Sequence, residues 1–437
     1  MSVSPAGTAK LKQTVAEKLL FGNEPSPELV AILLVYFVQG ILGLARLAVS
    51  FFLKDELALS PAEVSALTGI ALLPWTVKPL FGLISDSFPI LRYRRRPYIV
   101  FSGLLGAASW AAMATVVHDT WSATAIMLLC TLSVAVSDVI ADSLVVERAR
   151  GESQSKVGSL QSLCWGSSAV GGLITAYLSG GLLENFSTQT VFLITACFPL
   201  VVSGVAWLIA EEPVQDERWG LAQMGDQLQQ LKSAFSQKAI WMPTAFLFIW
   251  QATPTSDSAF FFFITNELEF EPEFLGRVRL GTSIAALVGI WLFQRFFKAV
   301  PTRTIFGWST VIATVLGMTA LLLVTHANRA IGIGDRWFSF GDSIILAIMG
   351  EIAYMPVLVL AARLCPAGVE ATLFALLTSA LNLAGLTSYE FGALLTHLLG
   401  VTKNNFDNLW LLLLITNLST LLPLPLLKWL PDNSASD

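Results

Sequence analysis

Apolar positions run down this chain in blocks of about 20 residues, each closed by a short polar stretch. That is the length a helix needs to cross the hydrocarbon core of a bilayer. Twelve blocks can be marked, at about 28–53, 61–84, 97–117, 121–146, 157–183, 189–210, 239–264, 273–296, 302–326, 341–363, 367–399 and 407–430. The pattern predicts an all-α membrane protein with twelve transmembrane helices. The longest polar interval separates the sixth block from the seventh, at 211–238. Its later half places Leu228, Leu231 and Phe235 at helical spacing, which predicts a cytosolic amphipathic helix lying on the membrane surface. The expected organisation is a cytosolic N-terminal segment (1–27), a six-helix half (28–210), the linker (211–238), a second six-helix half (239–430) and a tail (431–437).

Composition agrees with this pattern. The chain has 437 residues, 54% hydrophobic and 13% charged, where a soluble domain carries about 25% charged; its mean hydropathy is +0.68. The net charge of -5 says little, because the placement of charge is what matters. With both termini cytosolic, the termini and cytosolic loops hold 18 Lys and Arg residues, including Arg92, Arg94, Arg95, Arg96, Arg148, Arg150 and Arg303, against four in the outer loops. This positive-inside bias fixes the expected orientation. Cys130, Cys164, Cys197 and Cys365 fall in or at the ends of apolar blocks and are expected to be unpaired core residues. Residues 1–27 lack the apolar core of a secretory signal.

The second half of the chain repeats features of the first. At an offset of 212 or 213 residues, Gln39 falls on Gln251, Asp138 on Glu351, Arg150 on Arg363 and Gly172 on Gly385. A constant offset through five spans points to two pseudo-symmetric halves of common design. Two parallel six-helix halves around a midplane site are the layout of the major facilitator fold. The alternative is that apolar helices align by composition alone.

Two kinds of residue carry candidate chemistry. The loop after span 2 contains Gly82, then Asp86 four residues on, then Arg94, Arg95 and Arg96. Span 4 ends in Glu147, Arg148 and Arg150. Together these form a candidate cytosolic latch, and the plainer reading of the arginines is positive-inside anchoring. Ionisable residues deep in spans are costly and face a cavity or a partner. They are Arg46, Lys78, Asp138, Asp142, Asp257, Glu351 and Glu390, with Arg277 and Arg279 near the outer end of span 8. Spans 1, 4, 7 and 10 line the pathway in this architecture, and Arg46, Asp138, Asp142, Asp257 and Glu351 all belong to them. The plainer alternative is helix-joining ion pairs such as Arg46 with Asp142. Arg277 and Arg279 are expected to pair with the acidic loop at Glu267 and Glu269. Pro254 predicts a kink or break in span 7.

Arg46 and Lys78 suit an anionic group, and carboxylates suit a paired N–H edge. Trp75, Trp165, Trp250 and Phe260 to Phe263 are available to stack on a flat ring, although most membrane aromatics are core or interface residues. A transporter of a polar organic solute follows. No phosphate-binding loop is present, so ATP drive is not supported. His118, His326 and His397 are dispersed and make no ligand spacing with cysteine. A membrane enzyme would want paired catalytic groups near a membrane face, and a channel is disfavoured by the two-half repeat.

Several stretches resemble the folate–biopterin transporter family, a branch of the major facilitator superfamily. They are residues 43–51, 74–87, 93–96, 137–168, 250–259, 272–278, 355–366 and 370–375. The similarity is greatest to the plant-chloroplast and cyanobacterial branch. One departure lies at 387–391, where Tyr389 and Glu390 interrupt a small, glycine-rich run. The resemblance implies transport of folates or related pterins, with Arg46, Lys78, Asp138, Asp142, Asp257, Gln39, Gln161, Trp165 and Gln251 as candidate substrate-binding residues. Asp138, Asp142, Asp257 and Glu351 are candidate proton carriers. It further implies a monomer in the cell membrane of a cyanobacterium or in the chloroplast envelope. Substrate, protons and lipid are the expected partners; no nucleic acid, metal or cofactor is expected. The competing expectation is a major facilitator transporter of a drug, sugar or nucleoside.

Overall fold

The computed structural model describes residues 20, 23–149, 154–213, 225, 237–297, 300–364 and 370–430. Most of the N-terminal segment, the linker helix through Leu228, Leu231 and Phe235, Arg150, Cys365 and the 431–437 tail lie outside the described residues. Among the described residues the structure is helical, with one isolated bridge between Ile90 and Tyr93 and no strand.

Among the described residues, nine helical stretches are long and apolar enough to cross a membrane: Pro27–Glu56, Pro61–Ser87, Arg96–Thr115, Thr120–Arg148, Thr188–Leu208, Pro272–Phe297, Thr302–Val324, Asp335–Val357 and Leu409–Trp429. Two further long helices, Gln154–Asn185 and Glu370–Leu398, stand where spans 5 and 11 are expected. The place of span 7 is taken by two shorter helices, Lys238–Gln251 and Asp257–Asn266, separated at the Thr253-Pro254-Thr255 run. The chain breaks where Pro254 predicts it, because proline lacks the N–H an uninterrupted helix would need. The freed groups find partners on Glu370–Leu398: Ser388 Oγ donates to the Thr253 carbonyl at 2.5 Å, and Thr255 N donates to the Ser388 carbonyl at 3.3 Å. Broken helix at membrane depth persists only when such groups are satisfied by protein or face water.

Local signals set the helix starts. Ser26 caps Pro27–Ile41 by accepting from Leu29 N. Ser60 and Glu63 form a reciprocal capping box, with Pro61 at the first helical position. Asp119 accepts from Trp121 N and Ser122 N ahead of Thr120–Ala149, and the Ser122 hydrogen bond holds its carboxyl below the usual range. Glu211 accepts from the backbone N–H of Arg94, Arg95 and Arg96 at 2.5, 2.9 and 3.0 Å, closing the N-terminus of Arg96–Thr115.

Much large apolar surface stays uncovered by protein. Trp121, 84% exposed, Trp207 and Trp337 stand at helix ends, and Ile174, Leu193, Val288 and Val315 are exposed along helix middles. This is the surface of a helix bundle solvated by lipid, with aromatics towards the interfaces.

Glycine sets the closest helix contacts. A Cβ at Gly40 or Gly171 would strike the facing backbone of Ser168 or Phe37, so Pro27–Ile41 and Gln154–Asn185 touch at main-chain distance. Gly180 and Gly276 do the same between Gln154–Asn185 and Pro272–Leu292, which belong to opposite halves of the chain. Several other contacts between the halves lie at the same end, remote from the basic loops, and one, from Asn382 Nδ2 to the Trp75 carbonyl at 3.3 Å, lies beside Lys78. Lys54 Nζ donates to Asn266 Oδ1 at 2.8 Å, Ser65 Oγ donates to the Tyr389 carbonyl at 2.9 Å, and Phe51 meets Phe261 edge-on at 5.3 Å.

Candidate functional site

Span 4 forms one helix from Thr120 to Ala149, so Asp138 and Asp142 share a face one turn apart. Lys78 stands at the first position of the Lys78–Ser87 helix, just past a break in span 2. Its ammonium pairs with Asp138 and with Asp142, the latter at 2.8 Å. Tyr36, about one and a half turns before the end of Pro27–Ile41, donates its hydroxyl to Asp142 Oδ1. Gln39 faces the Asp138 carboxylate, with its Nε2 buried outside strict hydrogen-bond geometry. Asp138 is 8% exposed. The Asp142 side chain retains 44% of its surface. The Lys78 ammonium also lies 5.8 Å from the centroid of Trp75. Two carboxylates share one ammonium, so the cluster is left with one negative charge and with unused acceptor sites on Asp142.

This arrangement replaces the anticipated Arg46–Asp142 pair. Arg46 lies ten residues beyond Tyr36 on span 1, about 15 Å away at the helical rise, past the break at Leu42 and Gly43. It is exposed and close to Tyr389, which is also close to Asp257. Asp257 lies deep among surrounding atoms yet keeps accessible surface, which places it on an internal opening. Arg279 joins this second group by donating to the Gly43 carbonyl at 3.5 Å. Arg277 instead pairs with Glu273 one turn back. The expectation that Arg277 and Arg279 both serve the acidic loop fails because two residues of helix turn the side chain through about 200°.

The remaining candidates are placed elsewhere. Gln161 and Trp165 are exposed one turn apart on Gln154–Asn185. Gln251 ends Lys238–Gln251 at the span 7 break. Glu351 lies beside Tyr354 where Asp335–Leu364 closes on Gly289. Trp250 donates to Thr310 at 3.1 Å and packs edge-on against Phe306, and Phe262 and Phe263 are fully buried, so these three rings are core. Trp75 remains at the Lys78 cluster.

The cytosolic-latch residues do come together. Arg95, 6% exposed, donates to Ser85 at 2.9 Å and bridges Asp86 at 2.8 Å and Glu147 at 2.7 Å. Gly82 lets this helix approach Val139. All these groups lie in spans 2, 3 and 4, so the bridge ties one half internally. Arg96 donates to the Ile209 carbonyl, and Arg303 donates to the Leu430 carbonyl at 2.9 Å. The third span of each half is thereby stapled to the end of its sixth. Arg148 donates to Ser26 at 2.7 Å and to the Glu24 carbonyl at 3.0 Å.

Sequence reasoning missed Tyr36, and it named Arg279 and Tyr389 without bringing them to the site. The first and last are ordinary aromatic residues in apolar blocks. The signal for Arg279 was its lack of an acidic residue at helical spacing, in contrast with Arg277 and Glu273.

Residues 39–437 match the model of the BT1 family. The chain is 60% identical over 434 residues to the "Folate-biopterin transporter" of Synechocystis sp., covering 99% of this chain and 88% of that protein. It is 31% identical to "Folate transporter 2" of Plasmodium falciparum, covering 92% and 88%, and 31% identical to "Probable folate-biopterin transporter 2" of Arabidopsis thaliana, covering 90% and 80%. Among solved structures, the nucleoside transporter NupG superposes with a TM-score of 0.67 at 11% identity, covering 92% of this chain and 98% of that one. A D-xylose-proton symporter superposes with a TM-score of 0.67 at 14% identity, covering 93% and 98%.

Proposed function

The chain belongs to the BT1 family, and from that premise we propose that it is a secondary transporter carrying folates and related pterins across a membrane by alternating access. Its fold is the major facilitator fold, shared with the nucleoside and xylose transporters above. The observation that carries the substrate reading is the Tyr36–Asp142–Lys78–Asp138 cluster. A pterin presents a flat ring with a donor-rich amino-pyrimidinone edge. Asp142 supplies the half-exposed carboxylate to read that edge, and Trp75 and Tyr36 supply flat faces beside it. Lys78 is engaged by its two aspartates, whereas Arg46 has no carboxylate partner among the described residues and suits folate's glutamate tail.

The same cluster supports proton coupling. Asp138 is enclosed, shares the Lys78 ammonium with Asp142, and gains a neutral state by taking up a proton. Substrate at Asp142 competes for the Lys78 ammonium, which links occupancy to the charge state of Asp138. The membrane proposed is the cell membrane, with the basic loops and both termini in the cytosol and the monomer as the working unit.

Uptake of labelled folate and pterin into proteoliposomes, with and without an imposed proton gradient, tests the function. Accumulation is expected with an inward gradient and collapses with an uncoupler. The Arg46→Ala and Asp142→Asn variants are each expected to lose folate uptake by roughly tenfold or more. Normal transport with unchanged affinity in both would sink the site assignment. Transport indifferent to the gradient and the uncoupler would mean exchange or facilitated diffusion.

A further inference from the structure

We propose that Arg279 and Arg46 together form a two-arginine seat for the carboxylates of the substrate's acidic tail, with one guanidinium supplied by each half of the chain. The inference rests on the folate and pterin reading above and assigns that site its selectivity for the acidic tail.

Three observations carry it. First, Arg279 reaches across to the turn of span 1 that carries Arg46: its Nη1 donates at 3.5 Å to the carbonyl of Gly43, three residues before Arg46. Gly43 sits in the break between Pro27–Ile41 and Leu44–Phe51, opposite the Pro272–Leu292 helix that carries Arg279. Second, two positively charged residues, one from each half, are thereby brought to one turn of span 1. Neither makes an ion pair with a carboxylate among the described residues. Two adjacent cations in a membrane interior are stable only when an anion joins them. Third, the surroundings are polar and open. Tyr389 is near both Arg46 and Asp257, and Asp257 keeps accessible surface just past the span 7 break.

Charge arithmetic separates this seat from the Lys78 cluster. Here two cations stand without an ion-paired carboxylate among the described residues; there two carboxylates face one ammonium. A ligand with a donor-rich ring at one end and carboxylates at the other complements both poles. Planar guanidiniums take carboxylates in two-point geometry, which suits a glutamate tail better than a lysine would. Because Arg46 and Arg279 belong to opposite halves, a bound carboxylate ties the halves together and favours the closed arrangement.

The test compares folate with pterin, which has the ring but no tail, by uptake in proteoliposomes and by thermal shift of the purified transporter. Arg279→Gln is expected to weaken folate roughly 10- to 100-fold and to leave pterin unchanged. Arg279→Lys is expected to restore part of the folate affinity. Equal losses for both ligands, or no loss for either, would overturn the seat. Should Arg279→Gln fail to fold, the wild-type protein decides the matter through folate esterified at both carboxylates. Competition equal to that of free folate overturns the proposal, and competition no better than that of pterin supports it. A wild-type protein that binds neither folate nor pterin would instead fail the functional reading itself.

Discussion

At the residue scale, Lys78 is the most consequential side chain in the structure. It holds two carboxylates on one face of span 4. Removing it leaves the enclosed Asp138 and the half-exposed Asp142 without a cation, a loss that costs about 3–5 kcal/mol for a fully buried pair and less here because solvent screens Asp142. Lys78→Met is therefore expected to lower the thermal midpoint in detergent sharply. Adding Asp138→Asn to it removes one of the orphaned charges and is expected to recover much of that loss. A double variant no more stable than Lys78→Met would show that the cluster contributes nothing beyond its separate residues. The ionisable residues of this site were legible in the sequence because each interrupts an apolar block. Their pairing was not. Which cation meets Asp142 depends on depth and azimuth across three helices, and the breaks in spans 1 and 2 shift both. Arg279 shows the same limit, since its neighbour Arg277 takes the local acidic partner.

At the element scale, apolar length predicted the spans well wherever helices are continuous. It was weakest where function shapes the backbone. Span 7 divides into two short helices around Pro254, whereas Gln154–Asn185 stays one continuous helix although it carries many glycines and serines. The glycines have a packing reason that periodicity cannot reveal, namely contact with a helix distant in sequence. The Gly180–Gly276 contact is the clearest case, because it joins opposite halves at the closed end. Gly180→Leu is expected to prevent that approach and hold this end apart. A cysteine placed at Lys54, which now touches Asn266, would then react several-fold faster with a membrane-impermeant maleimide added from that side. Unchanged labelling, with transport intact, would show that the contact does not seal the pathway.

At the scale of the whole molecule, the two halves are tied differently at their two ends. At the basic end the ties lie within a half: Arg95 to Asp86 and Glu147, Arg96 to Ile209, and Arg303 to Leu430. At the other end the contacts run between halves, through Lys54 and Asn266, Ser65 and Tyr389, and the glycine pair. This is the arrangement of two bodies that rock about a central site, closed on one side.

The Lys78 cluster also constrains how the chain enters the membrane. On insertion scales a lone Lys or Asp at mid-helix costs about 2.5–3.5 kcal/mol, and the groups that neutralise one another here belong to spans 2 and 4. Synthesis at roughly 5–20 residues per second separates Lys78 from Asp142, 64 residues later (142 − 78), by roughly 3–13 s. During that interval span 2 has no partner for its charge. It must therefore wait beside the insertion machinery, and the first four spans enter lipid as a group. Ribosome-bound chains stopped before and after Asp142 would show this as crosslinking of span 2 to the translocon, lost only in the longer chain. Early release of span 2 in the shorter chain would refute it. The ion cluster proposed to recognise substrate would thus also schedule the assembly of its own half.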